Sequence, residues 1–228
     1  MNNNIFFNVD LGTVRDPTAI TIISREMVAL DNVSTRRETR ENERHTFQSM
    51  YRVRYMDRLP LGMDYPEQIE RVRGMMAHKD LVGKAELIID ATGVGLPVLH
   101  MMNERGLSPV GIWITAGNKT SRRPDGFNVP KRTLVSTLNL IFQSRRLKIP
   151  YGLKQRAAFM KELEGFTMKM RNSGADTYEA ETESVHDDLV MSMALGVWYA
   201  EENYGGLYSP LKDDRQVIEM KDPLEYGM

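Results

Sequence analysis

The 228-residue sequence predicts an α/β domain in which a mixed central sheet is flanked by helices. Three observations predict it. Two apolar, β-rich runs near the start are joined by a short connection, the pattern of an antiparallel pair. From Leu87 to Thr115 a strand, a helix and a second strand follow in turn, which implies parallel pairing through a right-handed crossover. From Asp187 to Glu202 runs a strong helix with Leu189, Val190, Met193, Ala194 and Val197 on its inward face.

The elements follow in order. Ile5–Asp10 is an apolar run bounded by Gly12, and Ala19–Ser24 is a second, β-branched one; both read as strands of a hairpin. Residues 31–45 are almost wholly polar and charged, a surface loop. Phe47, Ser49, Tyr51, Val53 and Tyr55 then alternate with mostly polar neighbours, which suits a half-buried third strand. Asp64 before Pro66 and Glu67 starts a helix whose apolar face carries Ile69, Val72 and Met76. Leu87–Asp90 is a buried strand, Val94–Arg105 a helix stopped by Gly106, and Val110–Thr115 a fifth strand. Residues 116–129, rich in Gly, Asn, Ser and Pro, read as a loop. Leu134, Leu138, Ile141 and Phe142 mark a helix, and another is expected at about Leu153–Glu164. Phe166–Met170, the Asn172-Ser173-Gly174 turn and Thr177–Glu181 suggest a hairpin before the last helix. Three antiparallel strands, then a parallel strand–helix unit, then a C-terminal helix is the order of a ribonuclease-H-like fold. Residues 1–203 are expected to form this one domain. Residues 204–228, rich in Gly, Pro and charge, are expected to be a tail.

Composition narrows the function classes. An apolar fraction of 41 % and a charged fraction of 27 % fit an ordinary globular protein and exclude a disordered chain or a coiled-coil rod. No cysteine is present, which removes disulfides, thiolate catalysis, zinc fingers and iron–sulfur clusters together. The longest uncharged apolar runs, Thr18–Ser24 and Leu189–Ala200, fall short of the ~18–20 residues that span a bilayer. No basic-then-apolar leader follows Met1, so neither membrane nor secretion is expected. The net charge of −1 hides an uneven distribution. Between Lys119 and Arg171 lie 13 basic and three acidic residues, a surplus of +10 that leaves −11 for the remainder. Such a run is either a set of solvated helix faces or a phosphate-binding face beside an acidic centre.

Carboxylates at strand ends carry the chemistry. Asp10 closes the strand Phe6-Phe7-Asn8-Val9-Asp10 and Asp90 closes Leu87-Ile88-Ile89-Asp90. Adjacent parallel strands would set the two on the rim where open α/β sheets bind ligands. Anionic groups crowded there repel, and a divalent cation relieves the cost. As single residues each could equally be a turn or cap aspartate. Asp187 and Asp188 follow His186 at the start of the last helix, where the helix dipole favours acids, so capping competes with metal binding. If that helix packs near Asp10, these acids complete a site for Mg²⁺ or Mn²⁺, with room for two ions ~3.5–4 Å apart. His186 either orients a water or a carboxylate or is a helix-entry residue.

Together these residues resemble a known family. Asp10-Leu11-Gly12 with Asp16-Pro17-Thr18-Ala19, then Ile88-Ile89-Asp90-Ala91-Thr92-Gly93-Val94-Gly95, then His186-Asp187-Asp188-Leu189-Val190, are similar to the nuclease domain of tailed-bacteriophage large terminases, over about Ile5 to Ala200. The resemblance implies a ribonuclease-H/RuvC-like fold and metal-dependent cutting of concatemeric double-stranded viral DNA during genome packaging. It implies that Asp10, Asp90, Asp187 and Asp188 are catalytic and bind the metals, without saying which of the last two contributes more. Its partners would be DNA, the portal protein, the small terminase subunit and a packaging ATPase, in the cytoplasm of the virus's host. Candidate DNA contacts are Lys119, Arg122, Arg123, Lys131 and Arg132, with Lys169 and Arg171 beside the expected hairpin.

One departure from the family stands out. Large terminases carry a packaging ATPase, yet no Gly-x-x-x-x-Gly-Lys-Ser/Thr loop occurs here; Gly93-Val94-Gly95 lacks the lysine that follows in such loops. ATP-driven translocation is therefore not expected of this chain. Gly93 and Gly95 are more simply a tight strand-to-helix turn. Rival readings are a RuvC-like junction resolvase or another ribonuclease-H-like nuclease, and a non-catalytic module that docks DNA or a portal. Asp10-Leu11-Gly12-Thr13 also resembles the first phosphate motif of actin-like and sugar-kinase ATPases, which need a second half that is missing here. No zinc finger or helix-turn-helix pattern is visible, so weak sequence preference is expected. Trp113 and Trp198 are expected in the core.

Overall fold

A computed structural model describes residues 4–12, 16–30, 46–93, 95–172 and 187–205. Strands β1 (Ile5–Asp10), β2 (Ala19–Leu30) and β3 (Thr46–Arg58) lead into helix α1 (Tyr65–Met76). Strand β4 (Ala85–Asp90), helix α2 (Gly95–Glu104) and strand β5 (Pro109–Thr115) follow. Strands β6 (Ser121–Arg123) and β7 (Gly126–Pro130) precede helix α3 (Lys131–Gln143), strand β8 (Leu147–Lys148) and helices α4 (Arg156–Asn172) and α5 (Asp188–Tyr204).

The eight strands form one sheet in the order β6-β7-β5-β4-β1-β2-β3-β8. β1, β2 and β3 pair antiparallel, whereas β4 joins β1, β5 joins β4 and β7 joins β5 in parallel. The centre β3-β2-β1-β4-β5 is the ribonuclease-H-like order expected from the sequence. Apolar runs are continuous in β1 and β4 because both faces of the sheet are covered. Phe6, Ile23 and Ile88 face α3, α4 and α5, while Phe7, Val9, Ile20, Leu87 and Ile89 face α1 and α2. Asp64 caps α1 by accepting from Glu67 N at 2.9 Å, as its position before Pro66 predicts. Among the described residues no helix is long and apolar enough to cross a membrane.

Helix α5 lies close against β1. Gly196 permits the approach, since a Cβ there would stand 2.1 Å from Asn8 Oδ1. Asn8 Nδ2 donates to Thr21 Oγ1 at 3.2 Å, and Ser192 Oγ donates to the Asn8 carbonyl at 3.0 Å. A buried polar strip thereby fixes the helix on two strands.

The elements differ most from expectation in three places. Residues 116–129 are not a simple loop, because they hold β6 and most of β7. The breakers there serve the strand. Gly126, at φ 151°, lies so close to Gly111 O that a Cβ would sit 1.8 Å from it, while Phe127 and Val129 bury the alternate positions. Phe166–Met170 is helical, because α4 runs on to Asn172. Phe159, Leu163, Phe166 and Met170 are spaced by four, three and four residues, which is one helical stripe. The rest of the expected hairpin, from Ser173, lies outside the described residues, as does the expected loop 31–45. Third, β2 and β3 are 12 and 13 residues long and exceed the predicted runs. Tyr204, the first residue of the expected tail, is the last of α5, and 206–228 lie outside the described residues.

Candidate active site

Strands β1, β3, β4, β5 and β7 point the same way, so their carboxyl ends share one rim. Asp10 ends β1, Asp90 ends β4, and Pro130 ends β7 directly before Lys131 opens α3. Arg58 ends β3. Register sets Asp10 opposite Ala19 and Ala19 opposite Arg58, so the arginine is two strands from the aspartate. Helix α5 brings Asp187 and Asp188 to the same place.

Electrostatics record that convergence. Burial pushes the Asp10 carboxyl well above the usual carboxylate range, and the charges of Asp90, Asp188 and Asp187, in falling order, push it further. Lys131 opposes them. Asp90 is also raised by burial, against hydrogen bonds from Thr92 and the charge of Lys131. Thr92 N donates to Asp90 Oδ1 at 2.7 Å, and Thr92 Oγ1 accepts from Ile114 N at 2.7 Å, tying the turn after β4 to β5. The segment after Asp10 is held from the other layer. Gly12 N donates to Thr18 Oγ1 at 3.0 Å, Thr18 Oγ1 donates to Gln68 Oε1 at 2.7 Å, and Gln68 Nε2 donates to Met63 O at 2.7 Å.

The two acids of α5 are not its caps. Asp187 occupies the N-cap position without a side-chain hydrogen bond to the helix; its Oδ2 lies 3.3 Å from Lys131 Nζ. Asp188 is buried, with Oδ2 3.6 Å from Arg58 Nε. The cap comes from α4: Glu162 Oε2 accepts from Leu189 N at 3.1 Å and from Val190 N at 3.2 Å. Glu162 Oε1 is paired with Arg58 Nη2. Burial raises the Glu162 carboxyl, although Arg58 and the Val190 amide lower it.

Neither Glu162 nor Arg58 is among the residues expected from the sequence. A signal for Glu162 existed, since Phe159, Glu162 and Leu163 at i, i+3 and i+4 share the buried face of α4. Arg58 carried none, because its role depends on which element covers the end of β3. His186 lies outside the described residues.

The donor chemistry suits a hard divalent cation: four carboxylates, no thiol, and a charge excess that a cation would offset. Among the described residues no group of three or more His, Cys, Asp or Glu side chains is arranged to hold a metal ion as it stands.

The basic stretch divides in two. Lys131 stands among the carboxylates, Arg132 is exposed beside it, and Lys119 is exposed between β5 and β6. On β6, Arg122 lies 5.5 Å over the Phe127 ring; Arg123 lies 4.1 Å over Trp113 and donates to Asn128 Oδ1 at 3.2 Å. Trp113 is therefore half-buried under an arginine, whereas Trp198 is in the core as expected. Other basic residues serve the fold. Arg146 donates to Glu201 at 2.6 and 3.1 Å and to Ser49 O at 2.7 Å, and Lys154 donates to Asp57 at 2.9 Å. Lys169 and Arg171 fall in the last turns of α4, and their side chains lie outside the described residues.

No family model and no curated protein matches the sequence. In structure the chain is similar to the large terminase nuclease from the thermophilic phage G20c, with a TM-score of 0.51 at 17 % identity, over 89 % of this chain and 83 % of that one. It is also similar to the human cytomegalovirus terminase nuclease domain in a Mn-soaked structure, with a TM-score of 0.45 at 6 % identity, over 90 % of this chain and 87 % of that one. The likeness to the phage protein establishes a shared ribonuclease-H-like fold.

Proposed function

We propose that this chain is an endonuclease that depends on Mg²⁺ or Mn²⁺ and cuts double-stranded DNA during the packaging of a viral genome. One observation carries the reading: the carboxyl of Asp10 is disfavoured as an anion by burial and by Asp90, Asp188 and Asp187, so that acids from three separate parts of the chain, Asp10 included, share one place. Capping does not account for the last two, because Glu162 caps α5 instead. Holding like charges together is unfavourable unless something positive shares the place.

Asp10, Asp90, Asp187 and Asp188 would hold the metal, and four carboxylates suffice for two ions. Bound there, Mg²⁺ or Mn²⁺ supplies Lewis acidity that activates a water and stabilises the leaving oxygen of a phosphodiester. The chain's own residues do the rest. Asp10 and Asp90 are fixed by adjacent strands, and Thr92 orients Asp90. Lys131, next to Asp187, offsets part of the negative charge and would contact a phosphate oxygen of bound DNA. Lys119, Arg122, Arg123 and Arg132, with Lys169 and Arg171, would bind the DNA backbone, giving salt-dependent affinity and weak sequence preference. The packaging role draws on the family resemblance in sequence motifs and on the fold shared with the phage nuclease. In that setting a portal protein, a small terminase subunit and a packaging ATPase domain would be its partners.

The test is incubation of supercoiled plasmid with the protein and Mn²⁺, Mg²⁺, Ca²⁺ or EDTA. Nicking and linearisation with Mn²⁺ or Mg²⁺ and none with EDTA are expected; intact plasmid under every condition sinks the reading. Selective cutting of four-way junctions over duplex would assign the site to a resolvase.

A further inference from the structure

Glu162 and Arg58 lie outside the four-aspartate set, yet both are built into its support. Glu162 is 5 % exposed and comes from α4. One of its oxygens accepts from two α5 amides, and the other pairs with Arg58 Nη2. Arg58 comes from β3 and also presents Nε to Asp188 Oδ2 at 3.6 Å. One guanidinium thus joins an acid that caps α5 to an acid of the proposed centre.

Charge decides what the arrangement is for. Asp188 and Arg58 alone would be a neutral pair, and a carboxylate neutralised by arginine is a poor cation ligand. Glu162 changes the sum: two carboxylates and one guanidinium leave one negative charge in a mostly buried place. Glu162 also relieves Asp187 and Asp188 of the capping role that acids at a helix start ordinarily take.

We propose that Glu162 and Arg58 are a positioning pair that orients Asp188 towards a divalent cation. The inference rests on the metal-dependent reading above. Residues that orient ligands from behind change metal affinity by ~10–100-fold when replaced. Glu162→Gln keeps an acceptor oxygen for the α5 amides and removes the charge, so Arg58 turns wholly to Asp188. Arg58→Lys keeps the charge, but an ammonium cannot reproduce the guanidinium fork that reaches both acids.

The experiment is calorimetric titration of wild-type, E162Q and R58K protein with Mn²⁺ in the absence of DNA, well below each unfolding midpoint, with circular dichroism as the folding control. Each folded variant is expected to bind Mn²⁺ about 10-fold more weakly than wild type. A purely structural pair would lower the unfolding midpoint and leave the Mn²⁺ affinity of the folded protein unchanged; that result overturns the proposal. If E162Q does not fold, R58K decides the matter alone. Wild-type protein that binds no Mn²⁺ sinks the metal reading itself, a different outcome from variants that match a binding wild type.

Discussion

Lys131 Nζ stands 3.3 Å from Asp187 Oδ2, joining the first residue of α3 to the N-cap residue of α5. The same ammonium lowers the carboxyls of Asp10 and Asp90. With Arg58, which pairs with Asp188, it places positive charge beside the acidic rim. Lys131→Ala is expected to lower the stability of the metal-free protein by about 1 kcal/mol or less, since both partners are more than a third exposed. It should also reduce the slope of log affinity for DNA against log salt by about 1. Fluorescence anisotropy with a labelled duplex across a salt series measures it; an unchanged slope would place Lys131 away from the DNA.

Asp10→Asn should separate stability from activity. The buried anion at Asp10 is opposed by its surroundings, so the neutral amide is expected to raise the melting temperature of metal-free protein near pH 7. A gain of ~1 kcal/mol corresponds to ~2–4 °C at this chain length. The same variant should cut no DNA and lose the upward shift that Mn²⁺ gives wild type. Differential scanning fluorimetry with and without Mn²⁺ reads both effects, and a lower midpoint than wild type without metal would contradict the crowding at the rim.

Gly196→Ala tests the approach of α5 to β1. The added methyl would meet the side-chain amide of Asn8, itself fully buried, at 2.1 Å. A loss of ~1–3 kcal/mol is expected from overpacking. The urea midpoint checks it.

Acid sensitivity is expected at a carboxylate outside the four-aspartate set. Burial alone would raise the Asp57 carboxyl, but hydrogen bonds from Lys154, Gln155 and the Arg58 amide outweigh it and hold it below the usual range. A depressed folded-state pKa contributes stability that is present above the unfolded value, ~3.9, and is lost as pH falls through the folded one. Asp57→Asn is therefore expected to cost stability near pH 7, and the difference from wild type should close below about pH 4. Thermal melts at a series of pH values between 3 and 7 follow it; a difference that stays constant would remove Asp57 from the acid response.

The candidate site was legible in the sequence as far as single strands could speak. Asp10 and Asp90 stand out because each polar end follows an apolar run, and a buried parallel strand cannot place a charge elsewhere. Asp187 and Asp188 could be seen but not interpreted, because cap and ligand look alike until another residue is found doing the capping. That residue, Glu162, is 25 positions away from Asp187 in the chain, and its claim rests on α4 lying against the start of α5. Strand β7 was hidden for another reason. Its glycine, which ordinarily marks a loop, is there because a neighbouring backbone passes too close for any side chain. The extension of α4 was visible in the spacing of Phe159, Leu163, Phe166 and Met170, but the Asn172-Ser173-Gly174 turn signal drew the boundary too early.

The hydrogen-bonded relay from Gly12 through Thr18 to Gln68 makes the rim answerable to both faces of the sheet. Asp10 is steadied from the α1 layer, while Asp188 is held by Arg58 of β3, which Glu162 of α4 pairs with in turn. Damage to either layer therefore reaches the same few oxygen atoms. A substitution that loosens α1, such as at the buried Ile69 next to Gln68, should weaken cutting before it unfolds the protein. The sheet acts here as a beam propped from two sides, and its tip holds position only while both props stand.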